Sequence, residues 1–165
     1  MIFSADFETT TADTFAKVWL WGAFSLSQKS FEYGTDISSF FEFCKIEKNS
    51  TFYFHNLKFD GQFLIWHLLK NGFAHKKDKK EICDNSFTTL IDEMGSFYEI
   101  TVYFEKTKKK TIKATFRDSL KILPFSVADV ADAFKLPIKK GKIDYSRHNV
   151  ECCITPEEIE YLRND

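Results

Sequence analysis

Tyr53-Phe54-His55-Asn56-Leu57-Lys58-Phe59-Asp60-Gly61 joins a short apolar strand, Thr51 to Phe54, to a helix expected from about Lys58 to Lys70. The helix should stop at Asn71-Gly72, a common helix-ending pair. Asn56 then lies at the end of the strand and Asp60 in the first helical turn. A strand-to-helix junction of this kind places both residues at one rim of a sheet, where ligands collect in open α/β folds. On its own, Asp60 could simply complement the positive end of the helix dipole.

Working outward, two further stretches supply acids. Near the start, Ser4-Ala5-Asp6-Phe7-Glu8-Thr9 reads as a buried strand over residues 1–8. Asp6 and Glu8 are two apart, so both leave the same face, and Phe7 points to the opposite face, where it can pack under a helix. The surrounding Ile2, Phe3, Ala5 and Phe7 argue against a solvated polar edge. At the other end, Thr155 is placed to cap a helix, with Pro156 in the first helical position and Glu158 closing a capping box. Tyr161 and Asp165 are four apart and share a face of that helix. The plainer reading is an amphipathic helix with Ile159 and Leu162 in the core. If Asp6, Glu8, Asp60 and Asp165 converge, their repulsion calls for divalent cations to neutralise them.

Between these stretches, Lys17 to Leu26 reads as a strand with Phe31 to Tyr33 paired to it. Asp36 caps a helix with Ile37, Phe40, Phe41 and Cys44 on one face. Residues 76–86 read as a polar loop. Phe97 to Phe104 and Thr111 to Arg117 read as strands joined by a basic turn, and Ser126 to Phe134 as a helix with Val127, Val130, Ala131 and Phe134 inward. Strands and helices intermix with hairpins, which predicts an α/β layer fold with a mixed sheet flanked by helices. No repeat or interdomain linker interrupts the 165 residues, so a single domain over 1–165 is expected.

Composition narrows the function. The chain is 44% hydrophobic and 17% aromatic, with 19 Phe residues, so it is globular with a core built largely from aromatic rings. A net charge of −1 is no footprint of a strong, non-specific DNA binder, so any nucleic-acid contact must be local, metal-borne or stacking. Arg occurs only at 117, 147 and 163, a Lys bias that fits an AT-rich coding genome. The four Cys, at 44, 83, 152 and 153, form no C-x-x-C pair and read as reduced thiols of a cytosolic protein. No apolar run approaches a membrane span. A cleaved leader would remove the Asp6–Glu8 motif, so none is expected.

The order D-x-E strand, N-x-x-x-D junction, Y-x-x-x-D helix resembles the three exonuclease motifs of the DEDD superfamily in its tyrosine-bearing branch. The longer stretches Asp6-Phe7-Glu8-Thr9-Thr10-Thr11, Tyr53 to Gly61 and Asp118-Ser119-Leu120-Lys121-Ile122-Leu123-Pro124-Phe125 look like protein-primed family B DNA polymerases of phages and linear plasmids. So do Lys140-Gly141-Lys142-Ile143-Asp144-Tyr145 and Ile154-Thr155-Pro156-Glu157-Glu158. The resemblance is to the amino-terminal 3′–5′ exonuclease (proofreading) domain and covers almost the whole chain. It implies an RNase H-like fold and a pair of divalent cations, Mg or Mn, held by Asp6, Glu8, Asp60 and Asp165. By the same resemblance Tyr161 orients the attacking water, and Lys140 stabilises the active-site geometry. Thr9, His55, Asn56 and Phe59 sit at the 3′-terminal nucleotides of a single DNA strand. Ser119 and Leu120, with Leu123 trailing, contact the frayed primer end, and Tyr145 supports it.

Plainer roles stand beside these. Leu120 and Leu123 could be core contacts, Lys140 part of a solvated basic loop, and His55 a structural residue. The polymerase half is absent and the chain ends on Asp165 inside a helix, which suggests an excerpt of a longer DNA polymerase. Expected partners are the 3′ end of single-stranded DNA, the polymerase domain of the parent chain and a terminal priming protein, with no membrane. The expected location is the bacterial host cytoplasm for a phage, or an organelle or cytoplasm for a linear plasmid. An RNA exonuclease of the same superfamily and an inert strand-binding fragment are the alternatives.

Overall fold

A computed structural model of the chain describes residues 1–11, 16–135, 143–145, 148 and 153–164. Among them, eight strands form one mixed sheet: β1 (Ile2–Thr9), β2 (Val18–Ser25), β3 (Phe31–Gly34), β4 (Ser50–Phe54), β5 (Ala74–His75), β6 (Ser86–Ile91), β7 (Phe97–Lys106) and β8 (Thr111–Asp118). Their spatial order is β3-β2-β1-β4-β8-β7-β6-β5. The helices are α1 (Ile37–Ile46), α2 (Leu57–Lys70), α3 (Val127–Ala133) and α4 (Pro156–Asn164). The α/β fold with a mixed sheet flanked by helices is the one expected from the sequence.

The centre of the sheet is a parallel trio. β1 pairs with β4 and β4 with β8, both in parallel, so the carboxyl ends of all three strands reach one rim. Hairpin neighbours extend the sheet outward, β2 beside β1 and β7 beside β8, both antiparallel. The β1–β4 register covers only Ile2↔Thr51 to Ser4↔Tyr53. β1 therefore continues past its neighbour, and the stretch that overshoots carries Asp6 and Glu8.

One face of the sheet is aromatic. Phe3 stacks on Phe52 at 4.9 Å between ring centres, and Phe7 meets Phe40 of α1 edge-on at 4.9 Å. Phe54, Phe116, Leu57 and Leu64 complete this core. Offset and edge-to-face contacts suit aromatic quadrupoles, which lets so many rings pack together. Trp21 of β2 belongs to the same face and donates its Nε1–H to Ser39 Oγ of α1 at 2.8 Å. The next residue, Gly22, faces the other way, under α4: a Cβ there would lie 2.9 Å from Leu162 and 2.8 Å from the Phe31 ring. The absence of a side chain lets α4 approach the sheet, where Leu162 packs with Trp19 and Leu20.

Local signals place the helices. Asp36 accepts the Ser39 N–H at 3.0 Å to start α1. Gly72, at φ 77°, follows the end of α2. Two expectations need correction. The polar stretch before residue 86 is followed by a strand, β6, that the sequence reading omitted. Its burial does not alternate but falls along the strand, from buried Ser86 and Phe87 to exposed Leu90 and Ile91, next to the edge of the sheet. The α3 helix forms with a Ser126–Asp129 capping box, but Phe134 is 69% exposed and none of the α3 residues is fully buried. Its apolar spacing identified the helix without specifying what would cover it.

Phe52 is fully buried between Phe3, Phe40 and Phe116. Phe52→Ala should lower the unfolding free energy in urea by about 3–5 kcal/mol, the usual loss for a large buried aromatic side chain.

Candidate functional site

Asp6 and Glu8 pair across the β1–β2 ladder with Gly22 and Leu20. Directly opposed residues share a face, so both acids look toward the α4 side. Asp60 arrives from the other side of the rim, at the first turn of α2. Asn56 makes the intervening turn in the left-handed region, φ 71° and ψ 57°, a conformation that asparagine tolerates better than most side chains. That turn carries the chain from β4 over the sheet edge and into α2.

Asp60 is only 2% exposed. The backbone N–H groups of Phe7 and of Asp60 itself favour its charged form, against the larger effect of burial. Asp60 Oδ1 has no hydrogen-bond partner among the described residues. Burial first, and then the charges of Asp6 and Glu8, push the Asp60 carboxyl up to about 9. An orphaned carboxylate oxygen, buried beside two more acids, has the chemistry of a hard-cation ligand. No trio of His, Cys, Asp or Glu among the described residues stands at metal-holding spacing. The fourth expected acid, Asp165, and the expected lysine, Lys140, lie outside the described residues.

A cavity of about 340 Å³ brings together Asp6, Glu8, Thr9, His55, Asn56, Phe59, Asp60 and Tyr145. Phe59 is 48% exposed and presents its ring at the mouth. A second cavity of about 510 Å³ shares Asp6, His55 and Asn56 and runs on to Leu162 and Arg163. Tyr161 joins through hydroxyls: Tyr145 Oη and Tyr161 Oη lie 3.3 Å apart, either able to donate to the other, and the Glu8 carboxylate lies close enough to act on the Tyr145 phenol. Burial, the Tyr161 hydrogen bond and the Glu8 charge hold the Tyr145 phenol well above its usual range, so it remains a donor at any ordinary pH.

Ser119 and Leu120 do not line the first cavity; they stand one contact behind it. Ser119 Oγ donates to the Phe54 carbonyl at 3.1 Å and lies 3.1 Å from His55 Nδ1. His55 Nε2 donates to the Phe125 carbonyl at 2.8 Å. His55 thus ties the β4 end to the turn after β8. Leu123 is exposed rather than in the core.

Two contributors were not singled out from sequence. Asp118 Oδ1 accepts the Leu120 N–H at 2.9 Å and the Asn56 N–H at 3.1 Å, so one carboxylate joins the ends of β4 and β8. Its local signal was an aspartate just before a turn, a common backbone-bonding position; the bond to Asn56 had none. Phe125, 58% exposed and anchored by His55, is a second bare ring at the rim.

Residues 43–165 match the family model for DNA polymerase type B, organellar and viral. The DNA polymerases of Bacillus phages Nf and phi29 are each 39% identical over 166 residues, covering 99% of this chain and 28% of theirs. That of Streptococcus phage Cp-1 is 35% identical over 178 residues. The chain therefore spans less than a third of the length of these curated relatives. Among solved structures, phi29 DNA polymerase complexed with single-stranded DNA superposes with a TM-score of 0.88 at 36% identity, over 99% of this chain and 29% of that one. The same polymerase complexed with primer-template DNA and incoming nucleotides also gives 0.88.

The Asp60 carboxyl makes a pH prediction. A carboxyl raised from 3.8 unfolded to about 9 folded binds an extra proton in the native state, so its contribution is greatest below the lower value and is lost as pH rises through the window. In chelator, the melting temperature should fall as pH rises from about 4 towards about 9, and Asp60→Asn should flatten that slope. Added Mg²⁺ or Mn²⁺ should raise the melting temperature, more at higher pH, in the unaltered chain and far less in Asp60→Asn.

Proposed function

The chain belongs to the organellar and viral type B DNA polymerases, and on that premise we propose that it is their 3′–5′ proofreading exonuclease domain, hydrolysing the 3′-terminal nucleotide of single-stranded DNA. The observation that carries this reading is the orphaned, buried Asp60 oxygen beside Asp6 and Glu8 at the rim where three parallel strands end. Asp6, Glu8 and Asp60, with Asp165, would hold two divalent cations, Mg or Mn. Bound there, such ions polarise the attacking water and neutralise charge on both oxygens of an in-line displacement.

The chain's own groups do the positioning. The Tyr161 hydroxyl is held 3.3 Å from that of Tyr145, and a phenol oxygen can accept a water proton and so orient it. Phe59 and Phe125 offer flat, exposed surfaces to bases, and stacking of this kind carries no sequence preference. That tolerance suits proofreading, in which any base can be the mispaired one. Asn56 and Thr9 line the same cavity and offer polar groups to the sugar-phosphate end. The Asp118 and His55 bonds keep the Asn56 turn and the Ser119–Leu120 turn in register. The parent polymerase would deliver the frayed 3′ end, inside the cell where the phage or plasmid DNA replicates.

A 5′-labelled DNA oligonucleotide with Mg²⁺ or Mn²⁺ should shorten stepwise from its 3′ end. Asp6→Ala and Glu8→Ala should each slow this at least about a hundredfold, the scale of losing one electrostatic stabiliser of the transition state. Equal degradation by Asp6→Ala would reject the site, and faster cleavage of an RNA oligonucleotide would point to the RNA branch of the superfamily. Strand binding without shortening would leave a holding module. Phe59→Ala should weaken single-strand binding by about 1–3 kcal/mol, alike for all four bases.

A further inference from the structure

His148 and Glu158 form a buried contact outside the cavity just described. Both are 4% exposed, and His148 Nε2 lies 2.8 Å from Glu158 Oε1. The Trp19 ring of β2 stacks on the imidazole, 3.4 Å away and 3° from parallel. The same carboxylate closes the α4 cap: Glu158 Oε2 accepts the Thr155 N–H at 2.8 Å, and Thr155 Oγ1 receives the Glu158 N–H at 3.3 Å. A capping box needs no burial, because its acid works equally well facing water. Taking the carboxylate out of water is costly unless a partner offsets it. His148 is that partner, so the burial serves something beyond the cap.

The consequence lies one helical turn away. Tyr161 follows Glu158 by three residues and shares its face of α4. Tyr145 precedes His148 by three. The pairs 148–158 and 145–161 are therefore two rungs joining residues 145 and 148 to α4, and Tyr145 of the second rung lines the cavity that holds Glu8. We propose that His148 and Glu158 are positioning residues whose contact, roofed by Trp19, fixes the placement of α4 so that the Tyr161 phenol stays against Tyr145 at the acid cluster. What Tyr161 does there rests on the exonuclease reading; the ladder itself does not.

The test compares His148→Phe, which keeps a flat ring for Trp19 but cannot donate to Glu158, with His148→Gln, which restores an N–H donor. In the full chain carrying ζ-¹³C-labelled tyrosine, the Tyr145 and Tyr161 resonances at fixed pH should move in His148→Phe and return in His148→Gln. On a 5′-labelled oligonucleotide, His148→Phe should lower kcat about tenfold or more, with KM unchanged within about twofold, as expected for a misplaced group that does not itself bind substrate. In a Tyr161→Phe background the same substitution should cause no further loss. An equal loss in that background, or unchanged tyrosine resonances, overturns the proposal. If His148→Phe does not fold, Glu158→Gln, which keeps an acceptor for the cap and weakens the grip on His148, must shift the same resonances in the same direction; no shift overturns it. If the unaltered chain cleaves nothing, the exonuclease reading fails while the tyrosine resonances still decide the ladder.

Discussion

Parallel pairing of β1, β4 and β8 is the constraint on which the site depends, because it delivers three strand ends to one rim. The β1–β4 ladder ends at Ser4↔Tyr53, so β1 projects beyond β4. Asp60, carried over the rim by the left-handed Asn56, brings its buried carboxylate beside that projecting stretch. Asp118 secures the neighbouring strand end, with a single oxygen bonded to the backbones of Asn56 and Leu120. Acidic side chains are thus concentrated at the rim where the parallel strands end.

That concentration of charge works against stability. An isolated buried carboxylate is among the least favourable groups a core can hold, and here like charges add to the burial. The nearby backbone N–H groups of Phe7 and Asp60 offset part of this, while Oδ1 has no hydrogen-bond partner among the described residues. An asparagine would fit the same turn at lower electrostatic cost. An unfavourable group persisting on an otherwise well-packed sheet is the mark of a function-bearing position, and it is balanced elsewhere, here by the interlocked rings of Phe3, Phe7, Phe40, Phe52 and Phe116.

The other side of the rim is built by approach. Gly22 admits Leu162, Leu20 packs beneath it, and the His148–Glu158 contact secures the first turn of α4. Tyr161 then meets Tyr145, hydroxyl to hydroxyl, at the acid cluster. Aromatic and ionic contacts divide the labour: rings fix the distance between layers, and hydroxyls and carboxylates fix the angle at which α4 presents its side chains.

Much of this was legible in local pattern. The i, i+2 spacing of Asp6 and Glu8 set their shared face, Asn56 and Asp60 marked a strand-to-helix junction, and Thr155-Pro156-Glu157-Glu158 marked a helix start, because period and capping act within a few residues. The family was legible for the same reason, since its motifs are short and contiguous. What the sequence left open depends on partners far along the chain. The exposure of Phe134, the strand β6, the double bond made by Asp118 and the burial of Glu158 against His148 are set by which surfaces meet. Periodicity names the face that a residue occupies, but only the tertiary fold decides what lies opposite that face, and so that Asp60 Oδ1 is buried without a hydrogen-bond partner among the described residues.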